Sequence, residues 1–322
     1  MLTVFGSINI DQVIRVPSLP GPGETTLGER VMDTHGGKGA NQAVAAARAS
    51  GGTTPVTMIG SLGRDQPGQH ALQNLQDNGV LTECQQHADC LTGTAIITVS
   101  QDGENTITVI AGANDQLLAR DVSKQVLART STLLCQGEVS LLETCRAITT
   151  YKDSVPNGIV VMNLAPVPQI GDMDTLRKVL GNTDILIVNE HEAQSLLRLL
   201  VHPDSASLLP IATQFELQIL ITRGPDGAEL LDKSGINLRV PSPSVEPVDT
   251  TGAGDTFCGA FAVLITEGWP IETAMRAACT AAANACCTIG AQTGMPFRNE
   301  ILKGAVRRGY NVEPWQLRRC TD

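Results

Sequence analysis

Residues 248–261 read VDTTGAGDTFCGAF, in which two aspartates, Asp249 and Asp255, bracket a glycine-rich turn. Gly252 and Gly254 free the backbone to turn so that successive N–H groups point at one place. The apolar run from Phe257 predicts a helix starting here, whose positive end adds to an anion site. Such a cradle suits the charge on a transferring phosphoryl group, and Asp255 beside it can accept a proton from an attacking hydroxyl. A plain glycine turn in which Asp255 stabilises the helix start would use the same residues. No GxxxxGK[ST] is present, so this is not a Walker loop.

Three further stretches carry polar groups at suggestive spacings. His35-Gly36-Gly37-Lys38-Gly39-Ala40-Asn41-Gln42 precedes the helical run AVAAARA. It fails the GxGxxG dinucleotide fingerprint because Gln42 stands in place of the last glycine. Lys38 and Asn41 offer hydrogen bonds to a polyol; a capped turn before a buried helix is the plainer alternative. Asn9 and Asp11 leave the first strand on one face by period two, an amide and a carboxylate spaced to grip neighbouring hydroxyls, or simply turn residues. Asn189 at a strand end and Glu192 one helical turn on could orient waters around Mg²⁺, or form an Asn cap with a surface Glu. His191-Glu192 begins like HExxH, but Ser195 stands where the second His belongs, which removes the zinc-protease reading.

The elements that must hold these residues are legible in the apolar runs. PVTMIG, TLLCQG, GIVVMNL, DILIVN and LQILIT begin at Pro55, Thr132, Gly158, Asp184 and Leu217. They lack polar alternation, as strands covered on both faces do. Helix-like segments such as HEAQSLLRLL from His191 separate them, which predicts an α/β fold: a Rossmann-like, parallel-rich sheet with helices on both sides. Polar and glycine residues gather where the runs end, at Ala165-Pro166, at residues 189–192 and at residues 223–227. Ligands bind beyond the carboxyl ends of strands in such sheets, so these loops should share one rim. Two stretches, about 11–35 and 92–112, break the pattern. The second carries two alternating strands around Asp102-Gly103, a hairpin signal. We read both as a small β lid on a single unit spanning residues 1–322.

Composition narrows the function. With 42% hydrophobic residues, the 322-residue chain can bury a sizeable core. Aromatics at 3% and a net charge of -10 argue against nucleic acid, by stacking or by backbone charge. The nine cysteines are odd in number and make no CxxC pair, so reduced thiols are expected rather than a disulfide framework or zinc site. No stretch is apolar enough for a membrane span and no secretory leader is evident, which leads to the expectation of a cytoplasmic protein.

Taken together, GSINID at Gly6, GGKGANQA at Gly36, AGAN at Ala111, Asn189 with Glu192, VDTTGAGDTF at Val248 and GAQ at Gly290 occur in one order over nearly the whole chain. In this the sequence resembles the ribokinase branch of the carbohydrate kinases related to phosphofructokinase B. The resemblance implies ATP-dependent phosphorylation of the 5-hydroxyl of D-ribose, on a core whose β lid serves as a dimer clasp. Carried over by position, Asp255 is the base and the amides of Gly252, Ala253 and Gly254 form the anion hole. Sugar contacts fall to Asn9, Asp11, Gly37, Lys38, Gly39, Ala40, Asn41 and Glu138. ATP falls to Asn189, Thr222, Arg223, Gly224, Pro225, Asp226, Gly227, Gly254 and Cys279, with Glu192 ordering the waters of Mg²⁺. A monovalent cation, usually K⁺, maps to Asp249, Thr251, Ala285, Thr288, Gly290 and Gly294. Three positions depart from the pattern: Gly294 where Ser is frequent, Cys279 where His or Asn often borders adenine, and Gly137 before Glu138 where a bulkier residue is usual. A related kinase of another sugar or a nucleoside, and a catalytically silent sugar-binding protein, are the rival readings; intact Asp255 and glycine loop speak against the second.

Overall fold

The computed structural model describes residues 1–168, 173–201, 205 and 207–307. Its centre is a nine-stranded sheet whose strands, from one edge, begin at Gly235, Ala228, Gln218, Ile185, Ile159, Thr132, Leu2, Val56 and Leu81. The seven strands from Gln218 to Leu81 run parallel; Ala228–Asp232 and Gly235–Val240 close the far edge by antiparallel pairing. All five apolar runs form strands, and consecutive residues serve opposite faces. Leu133, Val160 and Leu186 pack with Ile148, Tyr151 and Leu196 on one side. Leu134, Val161 and Ile187 pack with Val44, Phe261 and Ala278 on the other. Burial on both faces is why these strands show no polar alternation.

Strand order reverses at one place. From Leu2–Phe5 the chain proceeds outward to Val56–Ile59, whereas from the neighbouring Thr132–Gln136 it proceeds the other way to Ile159–Asn163. The crevice beyond their carboxyl ends is the expected ligand position in an open α/β sheet. Gly6 and Ser7 leave one strand there, and Gly137 and Glu138 the other.

A separate four-stranded sheet stands over this crevice, in the order Glu29–Gly36, Asn9–Val16, Gly93–Ser100, Asn105–Ile110. The hairpin around Asp102-Gly103 is present, with Gly103 at φ +90°. The inner pair, Asn9–Val16 with Gly93–Ser100, is parallel. Asn9 and Asp11 therefore open the lid's own strand rather than ending the first strand of the core, though they do share a face. No helix among the described residues is long and apolar enough to cross a membrane.

Candidate active site

Two helices aim their N-terminal ends at the crevice. One, Lys38–Ser50, starts five residues earlier than the run AVAAARA suggests, with Gly37 as its N-cap. Gly37 has φ +84°, and a Cβ there would lie 2.7 Å from the Asn9 backbone nitrogen, so only glycine fits. The other, Ala253–Thr266, follows Gly252 at φ +75°. The helices cross in close contact: a Cβ on Gly259 would lie 2.3 Å from the carbonyl oxygen of Gln42 and 2.8 Å from Cβ of Ala45. That approach brings Asn41 and Gln42 to Asp255.

Asp255 is 7% exposed and does not cap its helix. Asn41 Nδ2 donates to its Oδ2 and Gln42 Nε2 to its Oδ1, each at 3.0 Å. The donors are themselves held. Gln292 Nε2 donates to Asn41 Oδ1 (2.9 Å), Gln136 Nε2 donates to Gln42 Oε1 (2.8 Å), and Gln42 Nε2 also reaches Asn163 Oδ1 (2.9 Å). A buried chain of amides thus fixes the carboxylate. Gln42, Gln136, Asn163 and Gln292 lie far apart in sequence and were not among the expected site residues.

Lys38, Asp255, Glu192, Asn189, Thr222, Gly252 and Gly254 line one cavity of about 380 Å³. The Asp255 carboxylate, with Glu138 and Glu192, holds the Lys38 ammonium above its ordinary pKa against the effect of burial. At the lid side, Glu138 Oε2 accepts from Ser7 Oγ (2.6 Å) and from the Lys38 backbone N–H (2.9 Å). Gly39 and Ala40 seat the helix start on Ser7, through Gly39 N–H to Ser7 Oγ (3.3 Å) and Ala40 N–H to the Ser7 carbonyl (2.9 Å). Asn9 is buried and its Oδ1 accepts from Asn114 Nδ2 (2.8 Å); Asn114 also exchanges two hydrogen bonds with the Ile8 backbone. Asn114, from the AGAN motif, is a fifth residue whose role local sequence does not reveal. The Asp11 carboxyl lies over Gly36, where a Cβ would come within 2.2 Å of its oxygens. Burial, then Glu138 and Asp255, push the Asp11 pKa up to about 7, with Lys38 opposing.

An adjoining cavity of about 400 Å³ shares Thr222, Gly224 and Gly254 with the first. Its wall is apolar, from Pro225, Val245, Phe257, Cys279, Ala282 and Ala283. Burial pushes the Cys279 thiol up to about 12, so it acts here as a small apolar group. Gly227 also lines this cavity, whereas Arg223 and Asp226 line neither. Arg223 instead pairs with Glu190 (2.5 Å) and Glu229 (2.9 Å). Gly254 faces open space, since a Cβ there would meet nothing within 4 Å. The Ala253 N–H is taken by the Thr250 carbonyl (3.2 Å), which leaves Gly252 and Gly254 as the freer donors of the turn.

Asn189 and Glu192 form a capping box: Glu192 N–H donates to Asn189 Oδ1 and Asn189 N–H to Glu192 Oε2, both at 2.8 Å. The cap also aims the Glu192 carboxylate into the cavity, where burial raises its pKa against the Asn189 N–H and Lys38. Oxygen donors of this kind fit hydrated Mg²⁺. On the other side of the turn, Asp249 ties two loops together. Its Oδ1 accepts from Thr251 N–H (2.9 Å) and its Oδ2 from Gly290 N–H (2.8 Å). Burial works against its ionisation, but these hydrogen bonds outweigh it and hold the carboxyl below its ordinary value. Gly294 approaches so closely that a Cβ would lie 2.4 Å from the Ala285 carbonyl and 3.2 Å from Thr288 Cβ. This explains glycine in place of serine and gathers Ala285, Thr288 and Gly294 around one spot, a donor set that fits a monovalent cation. The glycine at 137 has a similar cause, for a Cβ would come within 2.3 Å of the Pro166 carbonyl.

The sequence profile of the pfkB family carbohydrate kinases matches residues 1–298. The ribokinase of Bacillus subtilis is 38% identical over 308 residues, covering 93% of this chain and 97% of that protein. Among solved structures, the ribokinase of Thermotoga maritima superposes with a TM-score of 0.85 at 30% identity, covering 95% of this chain and 99% of its own. The Arabidopsis thaliana ribokinase, complexed with ribose and ATP, gives 0.81 at 29% identity, covering 94% and 97%.

Proposed function

The chain belongs to the pfkB family of carbohydrate kinases, and from this premise we propose that it transfers the γ-phosphoryl group of ATP to O5 of D-ribose. The observation that carries the reading is the Asp255 carboxylate, buried at a helix N-terminus and gripped by two side-chain amides, lining the polar cavity next to Gly254, where that cavity meets the apolar one. The likeness to the ribose- and ATP-bound Arabidopsis enzyme supports the choice of substrates.

Ribose lies at the polar end, its hydroxyls met by Asp11, Asn9, Lys38, Asn41 and Glu138 and by the backbone at Gly37, Gly39 and Ala40. The 5-hydroxyl faces Asp255, which takes its proton as the oxygen attacks. Asn41 and Gln42 keep both carboxylate oxygens aimed while this happens. Adenine occupies the apolar cavity beside Cys279, and the triphosphate follows Thr222, Gly224 and Gly227 towards Gly254. The amides of Gly252 and Gly254, at the positive helix end, meet the charge on the passing phosphoryl group. In a loose, in-line transfer such positioning and charge stabilisation supply most of the acceleration. Lys38, held charged by its three carboxylate neighbours, adds a cation at the junction. Glu192 would hold Mg²⁺ through water, where the ion would neutralise phosphate charge, and Asp249, Thr251, Ala285, Thr288, Gly290 and Gly294 would hold K⁺, which would supply positive charge beside the anion hole. The lid covers the sugar and excludes water, which limits ATP hydrolysis.

A second copy of the chain is the proposed partner of the lid. Its outer strand Asn105–Ile110 is exposed along its length, and Ile107, Val109 and Ile110 are each more than half exposed. Light scattering should give a dimer, and Ile107→Lys a monomer. A coupled ADP-release assay tests the function itself. Release should require D-ribose, exceed that with other pentoses and hexoses, and rise with K⁺; release indifferent to ribose would contradict it.

A further inference from the structure

Outside the active site, a ring nitrogen of His87, a carboxylate oxygen of Asp89 and Sγ of Cys90 all lie within 4.8 Å of one another. His87 Nε2 is buried and has no hydrogen-bond partner among the described residues. An imidazole left dry in this way, beside a thiol and a carboxylate, is the donor set of a borderline-soft metal ion. We propose that His87, Asp89 and Cys90 form a binding site for a thiophilic divalent cation of the Zn²⁺ class, with water completing its coordination.

Local structure preorganises the three ligands. They sit on one bend whose backbone is pinned at both ends. Before it, the strand Gln85–His87 pairs with Ser61–Gly63, and the His87 carbonyl accepts from Arg64 N–H (2.7 Å). After it, Asp65 accepts from Thr92 N–H (2.8 Å) and Thr92 Oγ (2.6 Å), while Ala113 N–H donates to the Leu91 carbonyl (2.8 Å). Little ordering is left for an incoming ion to impose. Electrostatics favours a dication, because the carboxylates of Asp89 and Asp65 set a negative field at Cys90. Binding displaces the thiol proton, so affinity falls as pH falls. Nitrogen and sulfur ligands disfavour Mg²⁺, which separates this site from the metal used in phosphoryl transfer. The bend lies at the root of the lid, three residues before the strand Gly93–Ser100, so an ion here ties the lid's origin to the core.

Cobalt reports the site directly. Chelator-dialysed protein titrated with Co²⁺ should develop a sulfur-to-cobalt charge-transfer absorption that saturates at one ion per chain and is bleached by excess Zn²⁺. Cys90→Ser should abolish it. His87→Ala should weaken binding by at least the roughly 10–100-fold that loss of an outer-shell partner costs. Cys287→Ser, which removes an exposed thiol away from this bend, should leave it unchanged. In the unaltered protein, Zn²⁺ should shield Cys90 from iodoacetamide, as mapped by mass spectrometry, so the test does not depend on a variant folding. Absence of the absorption, its survival in Cys90→Ser, or alkylation of Cys90 at the same rate with and without Zn²⁺ would each overturn the proposal.

Discussion

The two cavities that meet at Gly254 have similar volumes and opposite construction. In and beside the polar one, the proposed sugar end, carboxylates and amides are hydrogen-bonded into fixed positions: Asp255 by Asn41 and Gln42, Glu138 by Ser7 and the Lys38 N–H, Asn9 by Asn114. At the proposed nucleotide end, Val245, Phe257, Cys279, Ala282 and Ala283 offer shape and little else. Directed bonds discriminate strongly, because a ligand lacking the right hydroxyl leaves buried polar groups unpaired. An apolar slot contributes affinity with less discrimination. Changes at the polar end should therefore alter chemistry and selectivity, and changes at the apolar end should alter the KM of ATP alone.

The largest break in that contrast is expected at the base. Asp255→Asn should lower kcat by about 10²–10⁴, the usual worth of general-base catalysis, in a steady-state ADP-release assay. Gly252→Ala comes next. The backbone at φ +75° disfavours a side chain, and its Cβ would press within 2.8 Å of the Ala291 carbonyl, so the anion-hole amide must move. Loss of one such donor costs about 10²–10³ in kcat.

A smaller and sharper signature is pH dependence at Asp11. Its folded-state pKa stands raised, at about 7, so the carboxyl is protonated below that pH in the free protein. The ionised form accepts the sugar hydroxyls, so the KM of ribose should climb by approaching tenfold per pH unit as pH falls below about 7. Asp11→Asn should flatten that profile. By the same sign, ionising Asp11 destabilises the empty protein as pH rises towards 7, and saturating ribose should offset this in thermal melts. Smallest is the apolar end. Ala282→Leu should raise the KM of ATP by about tenfold, an overpacking cost near 1.4 kcal/mol, with kcat and the KM of ribose nearly unchanged.

The same contrast governs what the sequence discloses. Apolar runs at Pro55, Thr132, Gly158, Asp184 and Leu217 are contiguous, so the central strands and the shared rim of Ala165, Asn189 and Thr222 could be read directly. The glycine turn and Asp255 are equally local. Gln42, Gln136, Asn163 and Gln292 are single amides with no periodic context, and only strand order and a glycine-mediated helix crossing bring them together. The helix start at Lys38 was hidden because Gly37 and Gly39 read as turn residues, whereas Gly39 is there to approach Ser7. The resemblance gives Arg223 to the ATP loop, while its pairing with Glu190 on one helix and Glu229 on a neighbouring strand depends on the fold and has no local sequence signal. The closing strand Gly235–Val240 is short, and its pairing with Ala228–Asp232 shifts register between Leu230 and Leu231, so neither strand keeps a clean period.

The claim on which the rest depends concerns a single step, proton removal by Asp255 from the sugar hydroxyl. Rapid-quench single-turnover measurement isolates it, with wild type and Asp255→Asn each saturated with ribose and ATP before Mg²⁺ is added. The account predicts that phosphoryl transfer itself slows at least about a hundredfold in the variant, while calorimetry finds both ligands bound nearly as tightly as before. A transfer step of wild-type speed in the variant would contradict it.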